Sequence, residues 1–147
     1  MITVQQEDFD VAKEYAALIE DNTTDGAVVF FTGLVRDFNQ GNSVNGLTLE
    51  HYPAMTEKVL NDIVDQAKQR WKLGRVRVIH RVGKLDLGDQ IVFVGVTSQH
   101  RESAFEANQF IMDFLKHQAP FWKKERTQKG ERWVEAEDKD KKAQQKW

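Results

Sequence analysis

Apolar side chains recur along this chain with two spacings, and each spacing predicts a different kind of element. In residues 8–20, 53–71 and 102–115 they return at every third or fourth position, which places them on one face of a helix. Pro120 ends the last of these segments, because proline lacks the backbone donor that a continuing helix needs. Each segment is therefore predicted to be an amphipathic helix.

Runs rich in β-branched and aromatic residues predict the strands, because such side chains pack well on a pleated sheet. Turn-forming residues separate these runs. "DFNQGNSVNG" is expected to be the long tip of a hairpin between the second and third strands, and "KLDLGD" joins the next two strands. The predicted strands are "MITVQ", "GAVVFFTGLVR", "LTLEHY", "RVRVIHRVG", "QIVFVGVTS" and "ERWVEA".

The predicted order of elements is β-α-β-β-α-β-β-α-β. Strands that neighbour one another in sequence, with helices between the pairs, indicate an α+β fold in which helices pack on a mostly antiparallel sheet. The chain has 147 residues and no internal repeat or low-complexity linker, so we expect a single domain over residues 1–147. Its charged tail, about residues 137–147, is expected to be solvated, with Trp147 free to dock on a partner.

The charge balance narrows the class of protein. Lys and Arg total 21 against 23 Asp and Glu, a net charge of −2, whereas a protein built to hold nucleic acid usually has a strong basic excess. No apolar run approaches the ~18 residues that a membrane span needs, and the first residues lack the basic and then apolar layout of a signal peptide. We therefore expect a cytoplasmic protein that binds neither membrane nor nucleic acid.

The chain contains no cysteine, which excludes disulfides, thiolate metal sites and a cysteine nucleophile. If the protein handles sulfur, another molecule must bring the sulfur. The histidines at 51, 80, 100 and 117 never fall at a tight ligand spacing, so we predict no metal and no cofactor.

Cationic residues gather at two junctions between predicted elements. His100 and Arg101 stand where a strand ends and a helix begins, and the free N–H groups and dipole of a helix start favour an anion. An Arg fork beside an imidazole suits a phosphate or carboxylate. In the alternative interpretation, Ser98 caps the helix and both side chains face water. Arg36, at the exit of a strand, fits either a ligand contact or a surface salt bridge.

The second junction is "LKHQAPFWKKE", residues 115–125. Lys116 lies in the last turn of the predicted helix, where the dipole favours a cation. Aromatic residues beside Lys123 and Lys124 can wall off a pocket and desolvate an ammonium group. The alternative is that Phe121 and Trp122 anchor the segment to the core while the lysines remain in solvent.

Helix geometry limits how these junctions can cooperate. With a rise of ~1.5 Å per residue, Arg101 and Lys116 stand roughly 22 Å apart on a continuous helix. One small-molecule pocket within one subunit cannot use both. Either the chain has two separate sites, or a symmetric dimer brings the start of one helix near the end of its mate; we favour the dimer.

Three stretches together resemble the catalytic (large) subunit family of molybdopterin synthase, from about Gly26 to Ala136. They are "GAVVFFTGLVRDFNQGNSVNGLTLEHYPAM", "VIHRVGKLDLGDQIVFVGVTSQHRESAF" and "IMDFLKHQAPFWKKE" continued by "GERWVEA". The resemblance implies a sulfurtransferase of molybdenum cofactor biosynthesis, which inserts two dithiolene sulfurs into cyclic pyranopterin monophosphate (precursor Z). It also implies an α/β hammerhead fold with an added antiparallel subsheet.

The resemblance further implies the partners. Sulfur would arrive as a C-terminal thiocarboxylate on a small ubiquitin-like subunit, whose Gly-Gly tail threads into the large subunit. The large subunit would be a homodimer, with one small subunit at each end making a heterotetramer.

The family's site residues carry over position by position. Arg36, His100 and Arg101 would hold the phosphate and pterin oxygens, and Lys116 and Lys123 would be the catalytic residues. The full set implied to bind substrate is Leu34, Val35, Arg36, His100, Arg101, Lys116, Lys123, Lys124 and Glu125. Two alternatives stay open: a non-catalytic anion- or nucleotide-binding module, and an RNA-binding domain, which the acidic balance disfavours.

Overall fold

A computed structural model describes residues 1–39, 42–134 and 138–147 of the chain. In chain order its elements are β1 (Ile2–Gln5), α1 (Val11–Ile19), β2 (Ala27–Leu34), β3 (Phe38–Asn39), β4 (Asn42–Ser43), β5 (Gly46–His51), α2 (Pro53–Arg70), β6 (Leu73–Arg81), β7 (Gly83–Asp86), β8 (Gln90–Ser98), α3 (Arg101–Gln118), β9 (Phe121–Thr127), β10 (Gly130–Val134) and α4 (Asp138–Gln145). None of the helices in these ranges is long and apolar enough to cross a membrane.

The first sheet has the strand order β1-β6-β8-β2. Only the β1–β6 pair within it is parallel; β6–β8 and β2–β8 are antiparallel. Strand β8 is buried along most of its length, which explains its continuous run of apolar residues. Strand β2 lies at the edge of this sheet, and its second backbone edge pairs with no other described strand.

Helices cover both faces of the first sheet. The apolar stripes of α2 and α3 pack on one face, and α1 packs on the other around Phe9, Leu18 and Phe93. The Asp10 carboxylate caps α1 by accepting a hydrogen bond from the Lys13 N–H. The core between α2, α3 and the sheet contains Leu60, Ile63, Val64, Ala67, Val76, Val78, Val92, Val94, Val96, Ala107, Phe110, Ile111 and Leu115.

The second sheet has the order β10-β9-β5-β7 and is antiparallel throughout. A small apolar cluster of Val35, Leu47, Leu49 and Leu85 joins it to the chain leaving β2. The Arg126 guanidinium crosses this sheet and donates to the Leu85 carbonyl at 2.9 Å. It passes directly over Gly46, where any Cβ atom would collide with it.

The predicted fold class is confirmed: helices pack on largely antiparallel sheets in an α+β arrangement. The predicted hairpin between β2 and β5 is wrong. Strand β2 pairs with β8, whereas β5 pairs with β7 and β9, so residues 35–45 carry the chain from one sheet to the other. Within that loop, residues 40–41 lie outside the described residues.

Two further differences concern the last third of the chain. The segment "FWKKERT" forms strand β9, although its run of charged residues gave no strand signal. The predicted last strand corresponds to β10, and its residues 135–136 lie outside the described ranges.

The tail is more ordered than its charge suggests. Residues 138–145 form α4, which packs on α3, and the Trp147 ring lies 5.6 Å from both the Trp71 and Phe110 rings. The Trp147 indole N–H donates to the Asp113 carboxylate at 2.7 Å, and Arg70 donates to the Trp147 carbonyl at 2.7 Å. Trp147 therefore docks on its own chain.

Candidate active site

A cavity of about 530 Å³ opens where the first sheet, the end of α3 and the second sheet meet. The exit of β2 supplies one wall and the last turn of α3 supplies a second. Strand β9 closes the third side, and His80 of β6 forms part of the floor. Predicted site residues that line it are Leu34, Val35, Arg36, Lys116, Lys123 and Glu125.

The exit of β2 is fixed by close packing and by backbone hydrogen bonds. The β2–β8 register shifts between Gly33 and Leu34, and a Cβ atom at position 33 would lie 3.0 Å from Val92. Val35 is buried, its N–H donates to the Asp89 carbonyl at 2.9 Å, and its own carbonyl accepts from Gly88 at 2.8 Å. Arg36 therefore follows a rigid residue and is held at the cavity rim.

Lys116 lies at the end of α3, only a few residues before the next strand begins. The Ala119 N–H donates to the Leu115 carbonyl at 3.2 Å, and Pro120 stops the helix there. Strand β9 then begins at Phe121. Because side chains alternate along a strand, Phe121, Lys123 and Glu125 line the cavity while Lys124 does not.

Two of the cations that line the cavity are left uncompensated by the described residues. Within the described residues, neither Arg36 nor Lys116 forms an ion pair or a side-chain hydrogen bond. Several arginines elsewhere in the chain form ion pairs, as in Arg77–Glu14 at 3.0 Å. Two uncompensated cations at one concave surface form a site for an anion.

Glu125 contributes a paired carboxylate. Its side chain is almost fully buried, and one carboxylate oxygen accepts from Arg132 of β10 at 3.0 Å and 3.3 Å. A buried carboxylate without such a partner would be strongly destabilising, so this pair fastens β9 to β10. Glu125 thereby holds the strand that carries Lys123.

The structure does not bring every predicted residue to the cavity. His100 and Arg101 lie at the opposite end of α3, both exposed and without a partner in the described ranges. The alternative of a Ser98 cap does not hold, because the buried Ser98 hydroxyl donates to the Lys72 carbonyl at 2.8 Å. Lys124 lies 4.6 Å from the centre of the Trp133 ring and 3.5 Å from the Glu131 carboxylate.

One cavity residue was given no place among the predicted site residues. His80 is 5% exposed, stacks on the Phe121 ring at 4.0 Å, and hydrogen-bonds the Arg81 carbonyl through Nδ1 at 2.8 Å. Burial is the main cause that lowers the pKa of His80 to about 4; the nearby charges of Lys116, His51 and Lys123 act in the same direction, and the hydrogen bond to Arg81 opposes them. The sequence signal was a histidine that continues the alternating positions of Val76 and Val78 in this strand.

The chemistry of the cavity follows from these side chains. Cations stand at its rim and on β9, a neutral imidazole lies deeper, and Leu115, Val92 and Phe121 make apolar walls. Among the described residues no group of three or more His, Asp and Glu side chains could hold a metal ion. The arrangement suits a ligand with an anionic end and a less polar body.

The fold and the cavity define a class: an α+β protein with a cationic pocket for an anionic ligand. Residues 4–118 match the family model described as MoaE protein. The chain is 62% identical over 146 residues to the molybdopterin synthase catalytic subunit of Escherichia coli K12, covering 99% of this chain and 97% of that protein. It is 60% identical over 146 residues to the protein of that name from Haemophilus influenzae, with the same coverage.

A solved structure agrees with these sequence matches. The molybdopterin biosynthesis MoaE protein from Burkholderia ambifaria superposes with a TM-score of 0.85 at 47% identity, covering 100% of this chain and 97% of that one. The chain belongs to the MoaE protein family.

Proposed function

We propose that this chain is the catalytic subunit of a molybdopterin synthase, a sulfurtransferase that converts cyclic pyranopterin monophosphate to molybdopterin in molybdenum cofactor biosynthesis. The observation that carries the proposal is the convergence of uncompensated Arg36 and Lys116 on one cavity, in a chain 62% identical to a catalytic subunit of that name. The chain acts in the cytoplasm.

The sulfur comes from a partner, because the chain has no cysteine of its own. A small ubiquitin-like subunit delivers it as a C-terminal thiocarboxylate on a Gly-Gly tail. That tail is a narrow, anionic peptide end, which matches a cavity with cations on two sides and apolar walls.

The cavity residues take roles set by their charge and position. Arg36, at the rim, binds the substrate phosphate, and Leu34 and Val35 shape the wall beside it. Lys116 and Lys123 hold the thiocarboxylate while its sulfur bonds to the pterin; they then stabilise the negative charge that develops on the carbonyl oxygen as water adds to the carbonyl carbon, the C–S bond breaks and the tail leaves as a carboxylate. Each can also donate or accept a proton in the process. Glu125 holds β9 in place, and Lys124 lies outside the cavity.

Arg101 and Lys116 lie at opposite ends of α3, so they act at one site only if two copies of the chain form a dimer. The open edge of β2 is a suitable surface for that contact. Phe30 and Phe31, near the middle of this edge strand, are 44% and 43% exposed. An unpaired edge with exposed aromatic residues is suited to pairing with a second copy of the same strand. We propose this edge as the homodimer contact, with one small subunit bound to each copy in a heterotetramer.

The register of β2 shows what this pairing would bring together. Ala27 lies opposite Ser98, so the start of β2 is beside the start of α3, whereas its end at Leu34 borders the cavity. Antiparallel pairing about a two-fold axis near Phe30 and Phe31 places the start of one β2 against the end of the other. His100 and Arg101 of one copy would then approach Arg36 of the second copy and complete its anion site.

The experiment is a complementation of two inactive variants. Lys116→Ala and Arg101→Ala are each prepared as homodimers, then mixed, dissociated and reassociated. In a mixed dimer one site carries both changes and the other carries neither. With random exchange, about one quarter of all sites are intact, so about a quarter of wild-type dithiolene formation should return.

The readout is molybdopterin formed from cyclic pyranopterin monophosphate and the thiocarboxylated small subunit. No recovery after exchange, with mixed dimers shown to be present, would contradict the shared site. Wild-type chain that binds both substrates without forming a dithiolene would instead support the non-catalytic anion-binding module.

A further inference from the structure

His80 has an imidazole whose two nitrogens face different surroundings. It lies on β6, opposite Val4 of β1 and Val92 of β8, and its ring stacks on Phe121 with an interplanar angle of 18°. Nδ1 lies 2.8 Å from the Arg81 carbonyl oxygen. A carbonyl oxygen only accepts, so Nδ1 carries the hydrogen and Nε2 is left with the lone pair of the neutral ring.

The surroundings keep this ring neutral. Three titratable groups face it from three elements: Lys116 from α3, His51 from β5 and Lys123 from β9. Burial is the main cause that lowers the pKa of His80 to about 4, and each of these groups lowers it in the same direction. At neutral pH, Nε2 is therefore a hydrogen-bond acceptor with no positive charge.

The Nε2 lone pair has no donor from the protein within the described residues. Among the described residues, the fully buried side-chain atoms that lack a hydrogen-bond partner are the hydroxyl oxygens of Thr32 and Thr56, and Nε2 of His80 is not one of them. His80 lines the cavity, so its Nε2 is open to whatever the cavity binds. An acceptor left open in an apolar wall is satisfied by a ligand N–H or O–H.

We propose that His80 is a substrate-orienting residue whose Nε2 accepts a hydrogen bond from an N–H or O–H of the pterin bound in the cavity. The inference rests on the proposed function. The cations at the rim bind the phosphate but cannot fix how the ring system lies, because they attract any anion. A single neutral acceptor deeper in the cavity sets that orientation, since the edge of a pterin carries N–H donors.

Two matched variants separate the nitrogens of His80. In His80→Gln the terminal amide lies near the former position of Nε2, so an oxygen acceptor still reaches the cavity. In His80→Asn the shorter amide lies near the former position of Nδ1, so the bond to Arg81 can persist while the cavity loses its acceptor. Both variants lose the stacking on Phe121, which makes each the control for the other.

We expect His80→Asn to lower kcat/KM for cyclic pyranopterin monophosphate about tenfold relative to His80→Gln, the effect of one hydrogen bond. The loss should appear mainly in KM, with affinity for the small subunit unchanged.

Three outcomes would overturn the inference. Equal kinetics of the Gln and Asn variants would show that the Nε2 acceptor has no role. A displaced pH–rate profile with unchanged KM would show that His80 acts on a lysine instead of the substrate. If neither variant folds, ¹⁵N NMR of the wild-type imidazole decides: an Nε2 resonance that does not move when the pterin binds contradicts the proposal. A wild-type complex that forms no dithiolene would overturn the proposed function itself.

Discussion

Replacement of Lys116 by alanine tests the proposed chemistry most directly. Lys116 is exposed in the last turn of α3, and its removal breaks no ion pair or side-chain hydrogen bond among the described residues. The free energy of unfolding should fall only by the interaction with the helix dipole, about 0.3–1 kcal/mol.

The catalytic loss should be far larger. A preorganised group that stabilises developing negative charge contributes roughly 10²–10³ in rate, or about 3–4 kcal/mol. Because the Lys116 ammonium lies at a cavity rim that water reaches, we expect the lower end, about 10²-fold. The assay is single-turnover dithiolene formation with the thiocarboxylated small subunit, alongside calorimetric affinity for that subunit and urea denaturation.

Lys68→Ala is the matched control. Lys68 lies in the last turn of α2, the corresponding place in a helix of the same length, and does not line the cavity. It should reproduce the small stability change and keep full activity. Turnover of Lys116→Ala within threefold of wild type would remove Lys116 from the catalytic role.

Two further predictions concern stability. The pKa of His80 is near 6.5 in the unfolded chain and about 4 in the folded chain, so the unfolded chain binds the proton more readily. The stability that His80 contributes is therefore complete above pH 6.5 and is lost as the pH falls to about 4. Denaturant titrations should show the wild-type advantage over His80→Gln shrinking by about 3 kcal/mol between pH 7 and pH 4, and a constant difference would contradict the buried neutral ring. Trp147→Ala removes ring contacts with Trp71 and Phe110 and the bond to Asp113, and should lower the free energy of unfolding by about 2 kcal/mol. That corresponds to a Tm roughly 4–8 °C lower by calorimetry, and an unchanged Tm would show that the tail is not docked in solution.

The sequence predicted the elements better than their pairing. Helical spacing located α2 and α3 because a helix must bury a stripe every third or fourth residue, and both helices cover a sheet face. The predicted hairpin of β2 and β5 was wrong because strands that are neighbours in sequence pair often but not always. The apolar pattern of a strand does not indicate which strand it pairs with. Strand β9 was missed because its outward face and the cavity both favour charged residues.

The site shows the same limit. The cations at Arg36, Lys116 and Lys123 could be found from the sequence, because each stands where an element ends or a new one starts. His80 could not be assigned, since a histidine within a strand faces inward or outward according to a register that only the paired structure fixes. The separation of Arg101 from Lys116 could be predicted, because a helix has a fixed rise per residue.

The two lysines that line the cavity, Lys116 and Lys123, belong to different parts of the fold. Lys116 belongs to a helix packed on the first sheet, and Lys123 belongs to the second sheet, which is anchored through Val35, Leu47 and Leu85. The distance between their ammonium groups therefore depends on how this small apolar cluster packs. A substitution at Leu47 or Leu85 would displace Lys123 relative to Lys116 without removing either lysine. The variant would then lose catalytic rate as if a catalytic group had been removed, although only the packing had changed.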